Sequence, residues 1–302
     1  MTDAGMMAQM THKQGFIAAL DQSGGSTPGA LRLYGIDDSD YSGDGAMFRL
    51  MHEMRVRIMT APAFSGDKVI GAILFEGTMN SEAEGKPVPS YLWEDRGVVP
   101  FLKIDKGLAA EENGVQMMKS IPDLDAVLGR AARKGIFGTK MRSVITHADR
   151  AGIMAVVKQQ FQLGRQILAH GLVPIIEPEV SINSPTRELA ETILSEEIAR
   201  ELDALSASEK VMLKLTIPTV ADFYKPLVDH NAVIRVVALS GGFSRAFACK
   251  KLSRNHGIIA SFSRALTEDL RISMSIDEFF LSLKRAIDQI YTASTTKVGP
   301  GN

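Results

Sequence analysis

A single cysteine, Cys249, stands among 302 residues, which excludes an internal disulfide framework and a cysteine-based zinc cluster. A reducing cytoplasm is the compartment such usage fits. Excess charge of either sign is also missing: 34 basic and 35 acidic side chains leave a net charge of -1, so nothing favours nucleic acid or an anionic membrane surface as a partner. Any basic site must be local. No stretch approaches the ~18 consecutive apolar residues of a spanning helix, and residues 1–14 are polar, without the apolar core of a signal peptide. Histidine is sparse as well. His12, His52, His147, His170, His230 and His256 neither pair at metal-ligand spacing nor end apolar runs, so neither a metal nor a cofactor is expected.

What the chain does have is a run of short apolar segments without strict alternation, as strands acquire when both faces are covered. They fall at 16–20, 69–75, 100–105, 136–142, 173–179, 211–217, 234–240 and 258–264. Between them lie helical patterns with clear punctuation. From Ile153 an apolar face of Val156, Val157, Phe161, Ile167 and Leu168 runs into His170-Gly171, a helix stop. Ser184-Pro185 offers a helix start. Near the end, Ser275 and Glu278 form a capping box ahead of Phe279, Phe280, Leu283 and Ile287. Strand and helix alternate throughout, so the expectation is an α/β fold with a closed parallel sheet, one TIM (β/α)8 barrel spanning residues 1–302. Its length exceeds the ~250 residues typical of such barrels. The surplus is expected as an N-terminal extension at 1–14, a long loop at 21–68 that carries SGGSTPGA and a helix around 47–58, a short C-terminal helix, and a flexible tail at 294–302.

Four charged residues near the ends of apolar runs recur 37 positions apart: Lys103, Lys140, Glu177 and Lys214. A strand, a crossover helix and two loops need more than ~30 residues, so consecutive βα units give this spacing. Residues two apart on a strand share a face. Lys103 with Asp105, Lys140 with Arg142, and Glu177 with Glu179 therefore present charged pairs to one place. Lys214, inside VMLKLTI, is the lysine in the most apolar setting. Alternation groups it with Met212 and Thr216, and opposes it to Leu213, Leu215 and Ile217. Taken alone it fits a lysine snorkelling from an edge strand; with its companions it fits a desolvated amine poised to attack a carbonyl. Glu177 and Glu179 read either as acid–base groups or as counter-ions to the cations. Asp21, opening DQSGGS, reads as a turn cap or as a catalytic carboxylate at a strand's C-terminal end. LSGGFSR places Ser240, Gly241 and Gly242 after the seventh strand, and SFSRA places Arg264 after the eighth, where barrels of this kind bind phosphate.

At this point the chain resembles the class I fructose-1,6-bisphosphate aldolases, specifically a bacterial branch, over about residues 15–264. The motifs ALDQSGGS, GAILFE, VVPFLKIDKG, FGTKMR, GLVPIIEPE, MLKLTIP, LSGG and SFSRAL carry the likeness, in order. The resemblance implies a carbon–carbon lyase of glycolysis and gluconeogenesis that forms a Schiff base with its phosphorylated sugar substrate. It implies Lys214 as the Schiff-base lysine, Glu177 as proton donor and acceptor, and Asp21 as the group handling the C4 hydroxyl proton. Lys140 would assist by charge, and Glu179 would hold the lysines in place. Ser240, Gly241 and Arg264 match the C1-phosphate side; Lys103, Arg142, Ser23 and Ser26 match the C6-phosphate side. The sequence departs from the animal enzymes in three ways. It lacks their terminal tyrosine, its last being Tyr291; only Arg32 stands for a basic pair in their first loop; and Ser263 replaces a glycine before Arg264. A related aldolase acting on the C4 epimer, and a sugar-phosphate-binding regulator without turnover, stay open beside this reading, as does a homo-oligomer.

Overall fold

The structure, a computed structural model, describes residues 3–22 and 27–299. Eight parallel strands carry the fold: β1 Phe16–Leu20, β2 Val69–Leu74, β3 Val99–Lys103, β4 Gly138–Ile145, β5 Val173–Val180, β6 Val211–Thr216, β7 Val233–Leu239 and β8 Ile258–Phe262. Each pairs with its sequence neighbours, β8 returns to β1, and the ring is complete. These are the strands the apolar runs predict, and the α/β barrel is the architecture they imply.

Alternation along the strands sorts the core into two layers. Ile17, Ala19, Ile73, Val99, Phe101, Val173, Ile175, Met212, Val237 and Ile259 fill the lumen as one buried cluster. Leu20, Leu74, Leu102, Ile176, Leu213, Leu215 and Phe262 face outward into a second cluster shared with the helices. The principal helices are α1 Ala4–His12, α2 Thr27–Tyr34, α3 Gly43–Met59, α4 Leu124–Arg133, α5 Arg150–Ala169, α6 Arg187–Asp203, α7 Arg245–Leu252 and α8 Ile276–Thr295. The capping box of Ser275 and Glu278 opens α8, and His170 closes α5 before Gly171 at φ 74°. The start of α6 lies later than Ser184-Pro185, because Thr186 is its N-cap residue.

The described segments near the two ends, residues 3–13 and 294–299, are built into the barrel more fully than polarity suggests, so the part of the expected tail at 294–302 that is described is not free of the barrel. Helix α1 inserts Met6 and Met10 into the lumen cluster. Its Gln9 Nε2 donates to the carbonyls of Ile70 at 2.8 Å and Gly97 at 2.7 Å, and Arg235 Nε donates to the Met10 carbonyl at 2.9 Å. The helix thus closes the N-terminal mouth of the barrel and leaves the other mouth for chemistry. At the far end, α8 continues through Thr295, and Lys297 Nζ donates to the carbonyls of Leu252, Ile258 and Ala293 at 3.2, 2.7 and 2.9 Å.

Two hairpins are additional to the expected elements. One pairs Glu82–Ala83 with Lys86–Pro87; the other pairs Leu108–Glu112 with Val115–Met118 and lies antiparallel against the end of β4. Their turn residues, Glu84-Gly85 and Asn113-Gly114, all have positive φ, the type I′ geometry that matches strand twist. Among the described residues, no helix is long and apolar enough to cross a membrane.

Candidate active site

The strand ends bring four of the expected residues into direct contact. Asp21 follows β1, Lys140 lies on β4, Glu177 on β5 and Lys214 on β6. Lys140 Nζ is 2.7 Å from Asp21 Oδ2 and 3.1 Å from Glu177 Oε2; Lys214 Nζ is 3.0 Å from Glu177 Oε1. The result is a chain of alternating charge, Asp21, Lys140, Glu177, Lys214, whose formal sum is zero. No member exposes more than 7% of its surface. Neutrality makes that burial tolerable, since an isolated charge there would cost several kcal/mol.

Burial pushes the Asp21 carboxyl up, but the Lys140 and Lys214 charges, a hydrogen bond from Lys140 and the more distant Lys103 outweigh it. The carboxyl is held well below the usual carboxylate range. Burial pulls the Lys140 ammonium down, and the charges of Asp21, Glu177 and Asp105 overcome this and hold it far above the ordinary lysine range. Lys140 is a fixed cation; it is not a source of neutral amine. Glu177 Oε2 meets Lys140 as an ion pair but has no aligned hydrogen-bond donor, which leaves it free to accept one.

Glu177 is steered from outside the barrel. Gln160, fully buried on α5, accepts a hydrogen bond from the Glu177 backbone N–H at 2.7 Å and donates to Ser143 Oγ at 3.1 Å. Proline follows Glu177, and the described β5–β6 register ends one residue before it, at Ile176 with Leu213. Gln160 supplies the acceptor that the ladder does not.

The remaining expected residues divide into two groups at the rim. Lys103, the register partner of Lys140, bonds Asp105 Oδ1 at 2.6 Å, while Arg142 Nε bonds Glu179 Oε2 at 2.5 Å. Glu179 is therefore engaged with an arginine and not with the lysines. Opposite them, Ser240 leads into Gly241 and Gly242 at φ 61° and 114°, and Arg264 opens the short helix Arg264–Thr267 after β8. A Cβ on Gly242 would lie 3.5 Å from Arg264 Nη2, which puts the guanidinium over the glycine turn. A Cβ on Gly241 would come within 2.6 Å of Ile182 Cγ2, so both φ and space demand glycine there. Ser23 and Ser26 lie outside the described residues.

Two participants fall outside the motif reading. Asp105 is buried, adds its charge at Lys140, and keeps Oδ2 without a partner. It was paired with Lys103 by strand parity, but its reach to Lys140 depends on closure of the ring. Arg55, from α3, is 2% exposed, donates to Thr78 Oγ1 at 2.8 Å and to the Gln22 carbonyl, and feels the Asp21 charge. Burial pulls its pKa down to about 10. It sits mid-helix among methionines, where nothing in the sequence distinguishes it from a surface arginine.

A buried lysine, a carboxylate bridging it to a second ammonium, and a glycine turn facing an arginine across the same barrel mouth define an amine-nucleophile enzyme for phosphorylated carbonyl compounds. The family described as Glycolytic: Fructose-bisphosphate aldolase class-I matches residues 9–218. The chain is 56% identical over 290 residues to the fructose-bisphosphate aldolase class 1 of Synechocystis sp., covering 96% of this chain and 97% of the relative. A solved fructose-bisphosphate aldolase from Plasmodium falciparum, crystallised with TRAP and a small-molecule inhibitor, superposes with a TM-score of 0.72 at 19% identity. That alignment covers 98% of this chain and 95% of the other, and shows the same fold. The chain belongs to the class I fructose-bisphosphate aldolase family.

Proposed function

We propose that the protein cleaves fructose 1,6-bisphosphate reversibly to dihydroxyacetone phosphate and glyceraldehyde 3-phosphate, with Lys214 as the covalent nucleophile. The observation that carries the reading is the contact chain Asp21, Lys140, Glu177, Lys214. Attack needs a neutral amine, and Glu177 Oε1, 3.0 Å away, is placed to take the Lys214 proton. The amine adds to C2, Glu177 returns the proton to the departing hydroxyl, and loss of water leaves an iminium. Asp21 takes the C4 hydroxyl proton as the C3–C4 bond breaks and its electrons move into the iminium. Glyceraldehyde 3-phosphate leaves; the enamine is protonated at C3, and water hydrolyses the imine to dihydroxyacetone phosphate.

A carboxylate held as strongly as Asp21 is a weak base, and the order of events relieves this. Cleavage converts the cationic iminium into a neutral enamine, removing one of the three cations that depress Asp21 at the moment it receives the proton. Lys140 stays charged throughout and orients both carboxylates. In this reading Ser240, Gly241, Gly242 and Arg264 hold the C1 phosphate, and Lys103 and Arg142 meet the C6 phosphate. The enzyme acts in the cytoplasm, in glycolysis and gluconeogenesis.

The assignments separate experimentally. Asp21→Asn should form the imine and fail to break the C3–C4 bond, whereas Glu177→Gln should slow imine formation itself, by roughly 100-fold or more for loss of a general acid–base. Rapid borohydride quenching reads the first step and triose release the second. Wild-type trapping rates in both variants would remove Glu177 from its role.

A further inference from the structure

The two turns assigned to the C1 phosphate come from different βα loops, and one side chain fastens them together. Arg245, the first residue of α7, follows the SGGFS turn and is 9% exposed. Its backbone N–H donates to Glu268 Oε2 at 3.0 Å, and its guanidinium donates to the Ala265 carbonyl at 3.2 Å, to Gln289 Oε1 at 2.9 Å and to Asp269 Oδ2. Ala265 is the residue next to Arg264, Glu268 is the C-cap of the short helix that Arg264 opens, and Asp269 follows it. Arg245 therefore binds the turn bearing Gly241 and Gly242 directly to the turn bearing Arg264, and anchors both to α8 through Gln289.

The side chains that would grip phosphate do little to fix each other. Arg264 is exposed, and Gly241 and Gly242 have no side chains. Ile182 packs against the glycine turn from the β5 side, where a Cβ on Gly241 would collide with it, but it makes no bond to the β8 turn. Beyond the β7–β8 ladder, which pairs Ala238 with Ala260, the span between the Arg264 guanidinium and the glycine backbone is set by the Arg245 clamp.

We infer that Arg245, with Asp269 and Glu268, is a positioning group that sets the distance between the two halves of the C1-phosphate site and so determines how strongly this enzyme selects a ketose phosphorylated at C1. This rests on the proposed aldolase reading and adds to it a residue set that touches no substrate atom. A fixed span lets backbone donors and guanidinium meet one phosphate together; a loosened span lets them meet it in turn. Misplacement by about 1 Å in such a site can cost up to roughly 100-fold. The remote phosphate would lose its hold, while the lysine chemistry stays intact.

The test compares Arg245→Lys and Asp269→Asn with the wild type on fructose 1,6-bisphosphate and on fructose 6-phosphate, which lacks the C1 phosphate. Asp269 has a half-exposed side chain, so its variant keeps the question answerable if Arg245→Lys folds poorly. KM for the bisphosphate should rise about tenfold or more in both variants, with kcat/KM for fructose 6-phosphate within about twofold of wild type. Equal losses on both substrates, or a lower melting temperature with KM unchanged, would make Arg245 a stability element and overturn the inference. If the wild type itself fails to distinguish the two substrates, the C1-phosphate assignment falls and the clamp falls with it. If it distinguishes them and both variants do so equally well, the clamp alone is wrong.

Discussion

Replacing Lys140 by methionine removes the central cation of the buried chain and keeps most of its volume. Asp21 loses its 2.7 Å partner and Glu177 one of two, and the group changes from neutral to a formal charge of -1 within the barrel. Removing one partner of a buried ion pair costs about 3 to 5 kcal/mol. For a chain of this size that corresponds to a melting temperature lower by roughly 5 to 8 °C. The sign of the pH dependence is the sharper check. In the native protein Asp21 titrates below its unfolded value of ~3.9, so its stabilisation is complete above that value and is lost only as pH falls further. In the variant, burial, the largest influence on Asp21, loses its main opponent, and the folded-state pKa rises. Protonating the carboxyl then relieves the buried charge, so the variant recovers stability as pH falls. Thermal unfolding at pH 7.5 and pH 5 should show a smaller deficit at the lower pH. An equal deficit at both would mean that lost packing, and not unpaired charge, is what Lys140 prevents.

Two more outcomes follow from the site. Gly241→Ala forces a side chain into φ 61° and within 2.6 Å of Ile182 Cγ2, so it should cost about 1 to 2 kcal/mol from backbone strain alone and raise KM for the bisphosphate; wild-type KM would detach that glycine from the phosphate site. Activity should survive prolonged EDTA treatment, because the iminium supplies the electron sink that a metal would otherwise provide; loss with recovery on added zinc would contradict the lysine mechanism.

The barrel was legible because its strands are short apolar runs with charged or turn residues at their ends, and because lumen and outer faces alternate along most of each strand, β2 slipping by one residue at a bulge near Gly71. Met212 and Lys214 point inward while Leu213 and Leu215 point outward, as parity alone requires. The 37-residue recurrence placed Lys103, Lys140, Glu177 and Lys214 on adjacent strands, but the pairings among them depend on ring closure and on length of reach. Glu179 bonds Arg142, a pair separated by the same 37 positions, so here the recurrence carried the contact as well as the strand order. The hairpin at Asn113-Gly114 carried a strong turn signal in ENGV that its polar flanks, Leu108–Glu112, obscured. Helix α1 was harder to read: it buries two residues in the core, Met6 and Met10, with Met7 packed partly against them, and a nine-residue helix with so short an apolar stripe looks like an extension until the open barrel end beneath it is known. Arg55 and Arg245 mark a third limit. Each is an arginine on a helix whose burial depends on distant segments packed against it, Thr78 and Gln22 for Arg55, and residues 265–269 with Gln289 for Arg245.

In the proposed mechanism Lys214 is the residue that bonds to substrate. Borohydride reduction in the presence of dihydroxyacetone phosphate, followed by peptide mass mapping, tests it most directly. One triose phosphate adduct per chain is expected, on Lys214, and none after Lys214→Met in a protein that retains its fold. An adduct on Lys103 or Lys140, or no adduct while cleavage proceeds, would contradict it.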